Sequence, residues 1–380
     1  MLLRRRLFIA CALLATLTFH GPRLSAQTLG PKREDVDQAK RRGVDYLKTS
    51  QAKEGFWTSA DSLGISGLIT YSLLVSGVEK SDPAVANALK FLLSNVQEDG
   101  GIYIPKSNHR NYETSICLLA LEAANRDGQY TQTIKNAEQL IRKIQFDESE
   151  STEPSDVKYG GAGYGRNGDR PDLSNTTFLL DALQAAGATK DDPAVQKALV
   201  FLSRCQNLES QHNVTPFAAK INDGGFYYTP AAGGTSVAGK TPEGGLKSYG
   251  SMTYAGLKGM IYAGLKADDP RVKAAADWIA KFYSVQENPG LGDQGLFYYY
   301  VMFVKTFTAL NQDYATDAQG TKHDWRKEVA EQLLQKQQSN GSWVNKNERF
   351  MEGNPDLATA YALTALKYCV PKDAATASTK

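Results

Sequence analysis

The chain has 380 residues, with 43 Lys or Arg against 41 Asp or Glu and a net charge of +2. Charges of both signs are interspersed and no block of like charge occurs, which removes the electrostatic basis for binding nucleic acid or an anionic membrane surface. A chain of this length exceeds one ordinary compact core, so it holds either two domains or a closed repeat architecture.

The first element is an address. Arg4, Arg5 and Arg6 form a positive start, and the apolar run from Leu7 to Phe19 is too short for a permanent bilayer span. The small residues Ser25 and Ala26 offer a cleavage site before Gln27. Residues 1–26 are therefore expected to be a signal peptide, and the chain to be exported to the periplasm or the extracellular space, with no integral membrane span after cleavage. Cleavage removes Arg4, Arg5, Arg6 and Arg23, leaving 39 basic residues against 41 acidic ones. Three cysteines follow, Cys117, Cys205 and Cys369, each inside an apolar helical pattern where a thiol behaves as a small buried hydrophobe. No CxxC pair suggests zinc or redox chemistry.

A repeat then organises the rest. Residues 82–92, DPAVANALKFL, match residues 192–202, DPAVQKALVFL, at eight of eleven positions, and DPRVKAAADWI at 269–279 is a looser copy. Each copy opens with an Asp able to cap the first free amides and a Pro at the first helical position. Apolar residues recur at three- and four-residue spacing, which predicts one-faced helices running towards Gln97, Gln206 and Gln286. Related segments at 34–50, 130–145 and 324–338 bring these outer helices to six. A glycine-rich turn is expected after each of them, as in QAKEGFW at 51–57 and QSNGSW at 338–343.

Second helices are predicted at about 61–77, 112–125, 172–187, 249–264, 295–310 and 356–369. They are rich in Ala, Leu, Gly and Tyr and nearly free of Lys and Glu. A helix apolar on most sides must be buried on most sides. Six buried helices alternating with six amphipathic ones predict an all-α protein, an α6/α6 toroid spanning residues 30–372 as one domain, with a disordered tail at 373–380. An open solenoid would show polar caps at its ends, and the last inner helix is as apolar as the middle ones.

Residues 42–57, RGVDYLKTSQAKEGFW, resemble the repeat signature of squalene and oxidosqualene cyclases through Arg42, Gly43, Tyr46, Leu47, Gln51, Gly55 and Trp57. Gln337, Gly341 and Trp343 keep the second half of it, and Gln97 and Gly101 keep it with Tyr103 in place of tryptophan. The resemblance runs from about residue 34 to residue 370 and implies the toroid of the terpenoid cyclase and protein prenyltransferase superfamily. Glycine suits the turn's backbone, the glutamine amide satisfies free groups at helix ends, and the aromatic ring packs over it. These residues are expected to be structural fasteners.

For chemistry, GDRPDLSNTTF at 168–178 resembles the acid motif of cyclases that protonate an alkene, Asp, any residue, Asp, Asp, Thr. Asp172 and Thr176 match, but Ser174 and Asn175 replace the two following carboxylates, and a serine hydroxyl is far too weak an acid for the step. The phrase recurs in EGNPDLATAY with Asp356 and Thr359, so an Asp cap opening an inner helix is the plainer reading. Protein prenyltransferases hold zinc with an Asp, a Cys two residues on and a later His. Here Ser115, Ser203 and Lys367 precede the cysteines and His109, His212 and His323 lie in turns, so neither a metal nor a cofactor is expected.

The catalytic candidates are Asp172, Glu113 and Asp356. Aromatics such as Tyr164, Tyr249, Tyr254 and Tyr298 can stabilise a cation or simply fill the barrel. Together with Asp172 and Asp356 they form the candidate ligand-binding set. The inner-helix glycines Gly250, Gly256, Gly259 and Gly264 are expected to leave a lumen pocket with its mouth near Asp172, Tyr249 and Asp356. Three functions are compatible with this reading: binding of an isoprenoid-like or other lipidic molecule in the lumen, a non-catalytic interaction scaffold, or a polysaccharide-active enzyme pairing carboxylates such as Glu113, Asp293 and Asp356.

Overall fold

A computed structural model of the chain describes residues 28–165 and 170–373. The signal-peptide expectation and Gly168 and Asp169 fall outside these residues, as does the tail except for Asp373.

Among the described residues, six outer helices run over α1 (Arg33–Ser50), α3 (Pro83–Leu93), α5 (Thr131–Lys143), α7 (Pro193–Arg204), α10 (Pro270–Lys281) and α12 (Trp325–Lys336). They alternate with inner helices α2 (Leu63–Val75), α4 (Arg110–Ala123), α6 (Leu173–Ala185), α9 (Gly250–Tyr262), α11 (Leu296–Ala309) and α13 (Pro355–Tyr368). A single short turn, α8 (Ala218–Ile221), sits in the long link between α7 and α9. The outer helices begin as the Asp-Pro signature requires. Asp82, Asp192 and Asp269 accept the amide N–H two residues on at 2.9–3.0 Å. The inner helices are buried around their whole circumference; in α9 every residue from Gly250 to Met260 is buried.

Each inner helix packs on the next, α2 on α4, α4 on α6, α6 on α9, α9 on α11 and α11 on α13, and α13 returns to α2. The ring is closed. Outer helix α1 packs on both α12 and α13, and Thr28–Leu29 pairs antiparallel with Lys372–Asp373, so the first and last segments meet. Asp373, assigned to the tail from the sequence, takes part in that pairing. The only other strand pair among the described residues is Ala315–Thr316 with Lys322–His323.

Three contacts recur in register, two joining successive helix pairs and one closing each pair on its own turn. The Nε2 of Gln51, Gln145, Gln206 and Gln337 donates to the carbonyl of a turn glycine and to a carbonyl in the first turns of the next outer helix, at Ala84, Ala194, Arg271 and Ala39. Three residues further along that same helix, the backbone of Asn87, Lys197, Ala274 and Arg42 lies against Gly55, Gly160, Gly224 and Gly341, where a Cβ would come within 2.4 Å of a carbonyl oxygen. Then a hydroxyl in the first turns of the inner helix, Ser66, Thr114, Thr176, Thr253 or Thr359, accepts a turn N–H at 3.0–3.1 Å. Trp57 and Trp343, fully buried, each donate Nε1 at 2.7 Å to the outer helix just ended, at Leu47 and Leu333.

Two glutamines depart from this scheme. Gln97 donates to Asn95 and Tyr103 within its own turn and reaches no neighbouring helix pair. Gln286 is exposed beyond the end of α10 at Lys281, and the join to α12 is made instead by the Tyr283 hydroxyl donating to Glu328 at 2.8 Å.

Candidate functional site

The inner-helix N-termini carry the three carboxylates singled out from the sequence, each held by local partners. Asp172 caps α6. Its Oδ1 accepts the Asn175 amide N–H and its Oδ2 the Asn175 Nδ2, both at 2.8 Å, and the Tyr228 hydroxyl adds a further bond. Burial raises its pKa to about 6 against those bonds. Thr176, the other match to the acid motif, is one of the five recurrent hydroxyl fasteners.

Glu113 accepts the Ile104 N–H at 3.0 Å and the Ser107 hydroxyl at 2.8 Å, and burial pushes it up to about 7. Asp356 accepts the hydroxyls of Tyr46 and Thr58, each at 3.2 Å. The three stand on α6, α4 and α13. Buried Glu352, which the sequence did not mark, accepts the N–H groups of Phe297 and Tyr298 and so caps α11 from a remote loop.

The aromatic candidates separate into different surroundings. Tyr249 is buried at the start of α9, and Tyr164 lies edge-on to His109 at the surface. Tyr254 packs within 6 Å of Tyr299, Phe303 and Phe307, in the wall between α9 and α11 rather than on the axis. Nor do the α9 glycines open the lumen. A Cβ on Gly256 would strike the Phe226 ring and one on Gly259 the Leu202 side chain, so these glycines admit outer-layer side chains.

Tyr298 does face the axis. Phe178 on α6 reaches it across the ring at 6.2 Å, and Tyr298 continues to Tyr361 on α13 at 5.9 Å. Tyr112 on α4 meets Phe178 edge-on at 5.2 Å and hydrogen-bonds to Tyr361. Because α6 and α11 are not neighbours in the ring, this four-ring cluster spans the lumen. The Ser174 hydroxyl sits 3.2 Å from that of Tyr298.

One turn further along the axis the lumen becomes charged. Lys258 of α9 donates to Asp181 Oδ1 at 2.5 Å, and Lys305 of α11 donates to Oδ2 at 2.8 Å. The side chains are 8, 11 and 14 % exposed for Lys258, Asp181 and Lys305. Burial would raise the Asp181 carboxyl, but the two ammonium charges outweigh it and hold it at about 2. Burial brings Lys258 down to about 8, helped by Lys305 and opposed by Asp181.

Beyond this layer a recess of about 450 Å³ opens at the carboxyl ends of the inner helices, lined by Tyr71, Leu74, Leu119, Ala185 and Lys367 among others. The mouth expected near Asp172, Tyr249 and Asp356 is thus at the opposite end from this recess. Among the described residues no group of three His, Cys, Asp or Glu is placed to hold a metal ion, and no helix is long and apolar enough to cross a membrane.

Comparison with known proteins bears on this architecture. Residues 60–229 match the model of the squalene-hopene cyclase C-terminal domain. The type II terpene cyclase MstE from Scytonema superposes with a TM-score of 0.52 at 13% identity, over 89% of this chain and 98% of the cyclase. A single-residue variant of the same cyclase in complex with its substrate, geranylgeranyl dihydroxybenzoate, gives 0.55 at 11% identity, over 88% and 97%. A family 76 glycoside hydrolase from a bovine Bacteroides thetaiotaomicron strain gives 0.53 at 10% identity, over 88% and 77%. No curated protein sequence matches. The fold is a terpenoid-cyclase-like α/α toroid.

Proposed function

We propose that the protein is an exported toroid that binds an apolar, isoprenoid-like molecule in its lumen and does not carry out protonation-initiated cyclisation. The observation that carries this reading is the aromatic cluster of Tyr112, Phe178, Tyr298 and Tyr361, facing the axis from four inner helices of a ring whose far end opens in a recess with aliphatic walls at Leu74, Val75 and Leu119 and charged residues at Glu122, Arg126 and Lys367. Aromatic faces and aliphatic walls suit a lipid chain, and the charged residues suit a polar head or mouth. The cyclase MstE, which shares the fold, has been seen in complex with geranylgeranyl dihydroxybenzoate as substrate. Against cyclisation stand Ser174 and Asn175 in place of acids, and an Asp172 whose oxygens are both engaged in capping. Export rests on the arginine start, short apolar run and small residues of the first 26 positions.

Solvent extraction of protein purified from its native compartment, followed by mass analysis, should recover a prenyl-type lipid. Geranylgeraniol should bind the unliganded chain, and Leu119→Trp, which narrows the recess, should weaken that binding. Unaltered binding in that variant would remove the recess as the way in, and unaltered binding in Phe178→Ala as well would remove the lumen as the site. N-terminal sequencing should find Gln27; an intact Met1 on cytoplasmic protein would remove export.

A further inference from the structure

The charged layer inside the lumen ties α6 to α9 and α11, and its charges do not cancel. Two ammonium groups face one carboxylate, leaving one positive charge in excess among side chains that are 14 % exposed or less. Each lysine's only hydrogen-bond partner among the described residues is Asp181, although an ammonium has three protons to donate. Leaving a buried charge without compensation is unfavourable, so the fold has reason to keep this excess only if something negative completes it.

The recess approaches this layer, although none of Asp181, Lys258 and Lys305 lines it. Ala185, which lines it, lies one helical turn beyond Asp181 on the same face of α6. Tyr71, also in the lining, is hydrogen-bonded to Tyr368, and both lie close enough to Lys305 to perturb it. Lys367, Arg126 and Glu122 also line the recess, so its own charges are of both signs and the unmatched charge of the buried layer is the one at Lys258 and Lys305.

We propose that Lys258 and Lys305 bind the carboxylate of an amphipathic lipid, a prenyl or long-chain carboxylic acid that enters through the recess at the carboxyl ends of the inner helices. The single negative charge of such a head group matches the single excess positive charge, whereas a phosphate monoester would overshoot it. The inference rests on the lumen-binding reading and adds the head group and its end of the ring. The acid's oxygens accept the lysine protons that Asp181 leaves free, and its chain lies along Leu74 and Leu119. Asp181 acts as a positioning residue, holding both ammonium groups at one point on the axis.

The test compares geranylgeranoic acid, geranylgeraniol and geranylgeranyl phosphate by calorimetry on the full chain and on two variants. Lys305→Met leaves a neutral Lys258–Asp181 pair, and Lys258→Met leaves the other. The unmodified protein should bind the acid at least about tenfold more tightly than the alcohol, the scale of one charge-assisted contact. Either variant should bind acid and alcohol within about twofold of each other, with retained alcohol binding showing that the fold is intact. Equal affinity for acid and alcohol in the unmodified protein would overturn the head-group site while leaving the apolar lumen standing. Preference for the phosphate over the acid would overturn the carboxylate assignment. Binding of none of the three would overturn both readings.

Discussion

Replacing Gly341 by alanine tests whether the ring is held by close backbone approach at the join between the last helix pair and the first. Gly341 has φ +91° and lies against α1, where a Cβ would come 2.4 Å from the Arg42 carbonyl oxygen and 2.8 Å from its carbon. Gly187 has nearly the same backbone, φ +95°, with nothing within 4 Å of its would-be Cβ. Placing an L side chain in that region costs about 1–2 kcal/mol, and this applies to both positions. Only Gly341→Ala adds an overlap with backbone that cannot rotate away, worth a further ~1–3 kcal/mol because α1 must shift by about an ångström. Urea denaturation should therefore show Gly341→Ala less stable than Gly187→Ala by about 1–3 kcal/mol. Equal destabilisation of the two variants would mean that the glycine serves only its own turn and that the join is carried elsewhere.

Three further outcomes follow from the same geometry. Gln206→Leu removes two buried hydrogen bonds, to Gly224 and Arg271, and should cost about 2–4 kcal/mol in urea titration, whereas replacing exposed Gln286 should cost less than about 0.5 kcal/mol. Glu113, pushed up to about 7 by burial, keeps its proton in the folded chain while the unfolded chain has lost its own near the ordinary value of 4.5. Its contribution is fully present below that ordinary value and is lost as pH rises towards 7. The loss amounts to at most about 3 kcal/mol, and Glu113→Gln should flatten this slope in pH-dependent denaturation. An unchanged slope would assign the titration to another group. Squalene incubated with the unmodified protein should give no hopene-like product, with the double change Ser174→Asp and Asn175→Asp as the comparison; turnover by the unmodified chain would point to Glu113 as donor.

The ring was legible because its determinants are local. Asp-Pro starts, three-and-four spacing and inner helices without a polar face all act within a helix or across one turn, and closure follows from the apolar last helix. The failures were non-local. Gln97 and Gln206 read alike in sequence, but only Gln206 has the next outer helix within reach of its amide. Gly256 and Gly259 suggested missing volume on the axis, yet Phe226 and Leu202 from the other side of the helix fill it. Thr176 resembled part of an acid motif, when Ser66, Thr114, Thr253 and Thr359 hold equivalent places in other inner helices and accept equivalent turn amides. Alignment of the inner helices on that hydroxyl would have separated the fastener from the chemistry.

The charged layer was overlooked for the opposite reason: its signal was present and went unused. Asp181 in TFLLDALQ, Lys258 in AGLKGM and Lys305 in MFVKTFT are lone charges deep inside helices that are otherwise apolar. A helix buried on all sides has no face on which such a residue can reach water, so each must find a counter-charge within the barrel. Helices from non-neighbouring parts of the sequence can supply one only if those residues stand at the same height on the axis. Asp181 lies at the ninth position of α6, Lys258 at the ninth of α9 and Lys305 at the tenth of α11. Equal depth in parallel inner helices places the three at one level without any knowledge of the fold beyond the ring. An odd count of three then requires that one charge be left over. That remainder, more than any resemblance to a proton donor, marks the part of the lumen where a ligand has something to bind.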